Sequence, residues 1–193
     1  DTLAQIHLIQ GEHEDASRAV EKAKEAYGEY GAHTSRWYQW SLRVLEARLA
    51  LRRGQHREAL DVANAIASSD GAPTGYAVQA ELIAIEALLT ADACAESQER
   101  LEAVARRIQP NSMSGTWGEF LRLRGRVRAA SDRATDAYHD FGQSVSVFEL
   151  LGERYQAGLS YLELGRLAAS AGARSRATRY LTDARMLFES LGA

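Results

Sequence analysis

Apolar residues recur along this chain at spacings of three and four, in paired runs separated by a short break. In residues 153–193, Tyr161, Leu164 and Ala168 fall on one helical face, and Ala171-Gly172-Ala173 interrupts the run. Ala177, Tyr180, Leu181, Ala184, Leu187, Phe188 and Leu191 then form a second stripe, with Arg174, Arg176, Arg179, Arg185 and Glu189 off it. Gly172 can take the left-handed conformation that ends a helix, and Gly165, lacking a side chain, lets another helix come close. The pattern predicts a helical hairpin in which Leu181 fills the space between Gly165 and Ala168 on one side and Ala177 and Ala184 on the other. Neither helix can bury its apolar face alone, so such a unit needs neighbours.

The rest of the chain repeats the hairpin. Gly11 and Gly54 lie 43 residues apart, as do Ala16 and Ala59. Gly125 to Gly165, Ala137 to Ala177, Phe148 to Phe188 and Gly152 to Gly192 are each 40 residues. Between these stretches, Ala84, Ala87, Leu88, Leu101, Val104 and Ala105 supply two further stripes around Ala91-Asp92-Ala93-Cys94, a turn without glycine that reads as one residue longer. Pro73 and Pro110 mark unit boundaries, because proline removes an amide donor and biases the residue before it away from helix. The expectation is an all-α, right-handed solenoid of about five antiparallel helix pairs, in units 1–31, 32–72, 73–110, 111–152 and 153–193 of a single domain. A start at Asp1 without Met and a stop at Gly192-Ala193, where a unit closes, are what a window cut from a longer protein would show.

Composition agrees and adds little. Ala, Leu, Glu and Arg dominate, only two prolines occur, and no segment alternates as a strand would. The net charge of −3 gives no global basic footprint, and Lys22 and Lys24 are the only lysines. With Cys94 the single cysteine, no intrachain disulfide or thiolate metal cluster can form, which fits a cytoplasmic setting. No apolar run approaches the roughly 20 residues of a membrane span.

The order small residue, turn glycine, Ala, bulky apolar, Ala resembles the tetratricopeptide repeat, at Gly165, Gly172, Ala177, Leu181 and Ala184. It matches less fully at Gly125, Ala137 and Phe141, and at Ala4, Gly11, Ala16 and Ala23. The spacing of about 40 exceeds that family's usual 34, and Leu-Gly or Tyr-Gly mostly replaces its boundary proline. Long spacing and a Phe-Glu-x-Leu-Gly ending are similar to repeat regions of large bacterial signalling and transcription regulators. The resemblance implies a non-catalytic scaffold that binds protein or peptide, or alternatively a sensor in which a small ligand or signalling peptide changes solenoid curvature and so controls an attached effector. It further implies a concave groove lined by the first helix of each hairpin: Gln5 and Leu8; Val44, Arg48 and Arg52; Glu81, Ile85 and Leu89; Arg122 and Arg126; Leu162, Arg166 and Ser170. Its five arginines offer forked donors to an acidic peptide, a chain terminus or another anion. The plainer reading is that they solvate exposed faces and pair with nearby Glu and Asp.

Other features read as structural. In Arg122-Leu-Arg-Gly-Arg-Val-Arg128 four arginines at spacing two spread around a helix, Arg124 and Arg128 should lean toward the paired helix, and Asp132, Asp136 and Asp140 can neutralise them. No aromatics interleave as in a nucleic-acid platform, and no nucleic-acid partner is expected. Trp37 and Trp40 share a face and are expected to pack near Tyr27 and Tyr30, with Trp117, Phe120 and Leu121 equally core. His7, His13, His33, His56 and His139 form no zinc pair, no phosphate-cradling glycine loop occurs, and Glu12-His13-Glu14-Asp15 is an acidic helix start. No cofactor, metal or catalytic set is expected. Were nothing to follow Ala193, Phe188 and Leu191 would lie open and favour self-association.

Overall fold

The computed structural model describes residues 2–30, 36–108 and 114–193. Ten helices and no strands occur among the described residues: α1 Thr2–Gln10, α2 His13–Tyr30, α3 Arg36–Arg52, α4 His56–Ala67, α5 Thr74–Thr90, α6 Cys94–Ala105, α7 Gly115–Ala130, α8 Ala134–Leu151, α9 Arg154–Ser170 and α10 Arg174–Glu189. The fold is all-α. Contacts divide the chain into two compact units, Asp1–Ala93 and Cys94–Ala193, whereas the sequence pattern suggested a single array.

Every hairpin turn is built the same way. The left-handed residue is Gly11, Gly54, Asp92, Asp132 or Gly172, with φ between +57° and +76°. The following amide reaches back to a carbonyl in the last helical turn: Glu12 to His7, Gln55 to Ala50, Ala93 to Leu88, Arg133 to Arg128 and Ala173 to Ala168, at 2.8–3.0 Å. The third turn is therefore no longer than the others. Asp92 simply occupies the position that glycine holds elsewhere, as Asp132 does, since aspartate tolerates that conformation better than most residues. Pro73 stands immediately before α5, while Gly31, His33 and Pro110 lie outside the described residues.

In the first unit α1 touches α2 and α3, and α3 also touches α2, α4 and α5. Ala4, Val20 and Leu45 form one small core, and Val44, Ala47, Ala50, Leu51, Ala59, Ala63, Ile66, Ile83 and Ala84 a larger one. Trp40 and Tyr76 border the larger core. Tyr38, rather than either tryptophan, stacks on Tyr27, at 6.2 Å between ring centres. Trp37 is 58% exposed and meets Tyr76 edge-on, so the expected pairing with the first hairpin is corrected. The reason is the helical register of α3. Its Tyr38 and Leu45, seven apart, face α2, which leaves the Trp37–Trp40–Val44 stripe to α4 and α5. The side chain of Tyr30 is outside the described residues.

In the second unit α7 touches α6, α8 and α9, and α9 touches α8 and α10. Two glycine–large-residue pairs fix the α7–α8 crossing. A Cβ on Gly125 would stand 2.5 Å from Phe141 Cε1, and one on Gly118 would stand 2.6 Å from Phe148 Cζ. Forty residues later the same pairs recur, with Gly165 against Leu181 and Gly158 against Phe188, at 2.6 and 2.7 Å. Between α8 and α9 the buried Ser144 hydroxyl donates to the Gly118 carbonyl and lies 2.8 Å from Ser160 Oγ, which itself reaches the Gln156 carbonyl. These contacts satisfy polar groups that burial would otherwise leave costly.

Candidate functional site

The turn register sorts the expected groove residues. Counting back from each left-handed residue, the seventh position is Ala4, Ala47, Ile85, Gly125 and Gly165, all buried. Ile85, fully buried, is therefore an interior residue of its helix and not a groove residue. The longer third turn assumed from sequence had shifted it by one place. The sixth position back is Gln5, Arg48, Glu86, Arg126 and Arg166, so the true counterpart in α5 is Glu86. The overlooked signal was Asp92, an acceptable left-handed residue at the turn.

The tenth position back also corrects the expectation. Val44, Leu82 and Arg122 stand there at 5%, 2% and 5% exposure, so Val44 and Arg122 are buried within the helix packing, where the sequence reading expected them to face a groove. The guanidinium of Arg122 donates from Nη1 to the Gln156 carbonyl at 3.4 Å and lies 5.5 Å from the centre of the Phe148 ring. It thus ties α7 to α9 and covers the aromatic that fills Gly118. Leu162, the fourth member of that register, is half-buried.

The remaining residues are accounted for unit by unit. In the first, Gln5 is exposed, Leu8 borders the Ala4–Val20–Leu45 core, and Arg48, Arg52, Glu81 and Leu89 are half-buried. Arg48, Arg52 and Glu81 already interact with neighbouring groups. In the second, Arg126 and Arg166 converge on one carboxylate, Glu163, at 3.7 and 3.5 Å. Glu163 keeps 17% of its side-chain surface open and Arg166 keeps 64%, while Ser170 is exposed. This cluster on α7 and α9 carries one net positive charge. Arg166 can turn a second donor edge toward an incoming carboxylate, and Glu163 holds Arg126 in place.

Arg124 and Arg128 lean toward α8, as their spacing predicts. Both meet Asp140, which is fully buried: Arg124 through Nε at 3.0 Å and Nη2 at 2.6 Å, Arg128 through Nη1 at 2.6 Å. They are consumed by the fold. A tyrosine cluster lies nearby. Tyr138 and Tyr180 share a hydroxyl contact, Tyr161 stacks on Tyr180, and the Tyr161 hydroxyl donates to Glu149 at 2.8 Å. Burial, then the Glu149 hydrogen bond, raises the Tyr161 phenol to about 12, and the Tyr180 hydrogen bond raises Tyr138. The Tyr161 phenol stays neutral and donates.

One histidine has acidic company that sequence spacing did not reveal. His7 Nδ1 lies 2.6 Å from Glu12, and Asp15 brings a third potential ligand atom within 4.8 Å of both. Asp15 is paired with Arg18, and the group sits at the positive end of α2, which disfavours a cation. The His7–Glu12 contact closes the first turn. Cys94 is half-buried at the start of α6.

No family model matches the chain, and no curated protein matches it. Among solved structures it is similar to BtubC (BKLC) from P. vanneervenii, at 14% identity and a TM-score of 0.61, over 98% of this chain and 75% of that one. At that identity the likeness speaks for the helical fold alone. No helix among the described residues is long and apolar enough to cross a membrane.

Proposed function

We propose that this chain is a non-catalytic helical-repeat scaffold, a right-handed solenoid of the tetratricopeptide kind, that binds an acidic protein segment along the first helices of its hairpins. The observation that carries the reading is the exact return after 40 residues of both packing pairs, Gly125–Phe141 with Gly165–Leu181 and Gly118–Phe148 with Gly158–Phe188. Contacts between successive first helices, α1 with α3, α3 with α5 and α7 with α9, support stacking of pairs within each unit. The Arg126–Glu163–Arg166 cluster is the place for an acidic side chain. A setting in a cytoplasmic bacterial regulator belongs to this proposal through the repeat resemblance.

A displayed library of random peptides tests the binding. The native chain should enrich acidic sequences, and an Arg126→Glu, Arg166→Glu variant of unchanged helicity should lose them. Identical selections, or none, would sink the reading. Arg122 is left alone because its guanidinium is buried. Small-angle scattering tests the architecture. A solenoid has a radius of gyration above the roughly 16 Å of a compact domain of this length.

A further inference from the structure

Phe188 and Leu191, expected from sequence to lie open, are half-buried, and Phe188 packs on Gly158 and Tyr155. A pair of polar groups on α9 is left less complete. Glu163 and Arg166, three residues apart, share a face of that helix. Glu163 meets Arg126 Nε at 3.7 Å and Arg166 Nη1 at 3.5 Å, both through its Oε1. Each distance is longer than an N–H···O hydrogen bond. Among the described residues neither Glu163 nor Arg166 makes a hydrogen bond, whereas Arg126 has a further interaction that anchors it. A half-buried carboxylate with an unused oxygen, Oε2, therefore stands beside an exposed guanidinium whose donors are unused.

That pairing constrains what can bind. A carboxylate that takes the donors of Arg166 comes close to Glu163, and two carboxylates at short range repel. An N–H on the incoming group, aimed at Glu163 Oε2, turns the repulsion into a charge-assisted hydrogen bond. Aspartate carries both groups, because its backbone nitrogen and its carboxylate oxygens lie roughly 3–4 Å apart. The 3.5 Å between Arg166 and Glu163 matches that bite. Glutamate places its carboxylate one bond farther away and loses more rotamer freedom in holding it. Charge decides between an amide and an ammonium as the donor. Arg126, Glu163 and Arg166 together hold one positive charge, which an aspartate inside a peptide neutralises, whereas a terminal aspartate would bring a second positive group to the site.

We propose, resting on the acidic-segment reading, that Arg166 and Glu163 together recognise an aspartate within a peptide chain. Arg166 donates to the aspartate carboxylate, and Glu163 accepts from the backbone N–H of the same residue. Arg126 holds Glu163 in position from α7. Glu163 is then the residue that sets specificity, since it repels a carboxylate that arrives without a donor.

Nuclear magnetic resonance titration of the full chain tests this with two probes, acetyl-Gly-Asp-Gly-amide and its analogue methylated on the aspartate nitrogen. The readout is the Arg166 side-chain Nε–H signal, assigned by its absence from Arg166→Glu. The first probe should bind the native chain about tenfold more tightly than the second, the worth of one hydrogen bond to a charged group. In Glu163→Leu of unchanged helicity the two should bind alike. Acetate, which brings no donor, should bind Glu163→Leu more tightly than the native chain. Equal binding of both probes to the native chain, a preference that survives Glu163→Leu, or acetate binding that Glu163→Leu leaves unchanged overturns the aspartate pairing and leaves the acidic-segment reading standing. So does a peptide library that enriches acidic sequences while neither probe moves the Arg166 signal. A library that enriches none removes the acidic-segment reading and this pairing with it.

Discussion

Asp140 is fully buried and holds Arg124 and Arg128, whose side chains keep 26% and 24% of their surface. Asp140→Ala should destabilise the fold by about 3 kcal/mol, because removing one partner leaves half-buried cations uncompensated. A lowered urea midpoint at unchanged slope would show it. Tyr161 gives a pH dependence of defined sign. Its ordinary value of 10.0 is raised to about 12, so its share of stability is intact below pH 10 and is lost as pH climbs toward 12. Phenolate absorbance should show a late-titrating tyrosine that Tyr161→Phe removes. At this scale the sequence was legible for Arg124 and Arg128, whose spacing points them at α8. It was not legible for Arg122, since a guanidinium taking a position that Val44 and Leu82 fill elsewhere carries no mark of burial.

Helices meet here through glycines, and the two kinds of glycine should answer oppositely to a methyl group. Gly125→Ala places a Cβ against Phe141, an overpacking cost of about 1–3 kcal/mol that outweighs the roughly 1 kcal/mol gained in helix propensity. Gly142, in mid-α8, has nothing within 4 Å of such a Cβ, so Gly142→Ala should stabilise by about 0.5–1 kcal/mol. Differential scanning calorimetry should move the two melting temperatures in opposite directions. Turns respond likewise. Asp132→Gly should stabilise by about 0.5 kcal/mol, the left-handed strain of an L-residue exceeding glycine's extra chain entropy. Hairpins four and five were readable because their glycines sit opposite large residues at a constant period. The third turn was misread because aspartate there does the work of glycine without looking like one. The Trp37 face could not be read from α3 alone, since two stripes of that helix are apolar and only its neighbours decide which faces which.

Across the molecule the left-handed turn residues are spaced by 43, 38, 40 and 40 positions, and both compact units use the same turn. The pattern of small residue, turn and large residue was readable from sequence over both units. The division at Ala93–Cys94 was not, because local periodicity carries no information about how many contacts cross a turn. The second unit's constant period has an evolutionary corollary. Phe141 and Phe148 fill Gly125 and Gly118 of their own hairpin, and Leu181 and Phe188 fill Gly165 and Gly158 of theirs. A lineage can therefore gain or lose chain here in whole steps of 40 residues, with every large side chain still opposite its glycine. A helix insertion of any other length would put the ring against a neighbouring side chain, so length changes between relatives should fall on whole hairpins or in the linkers between them.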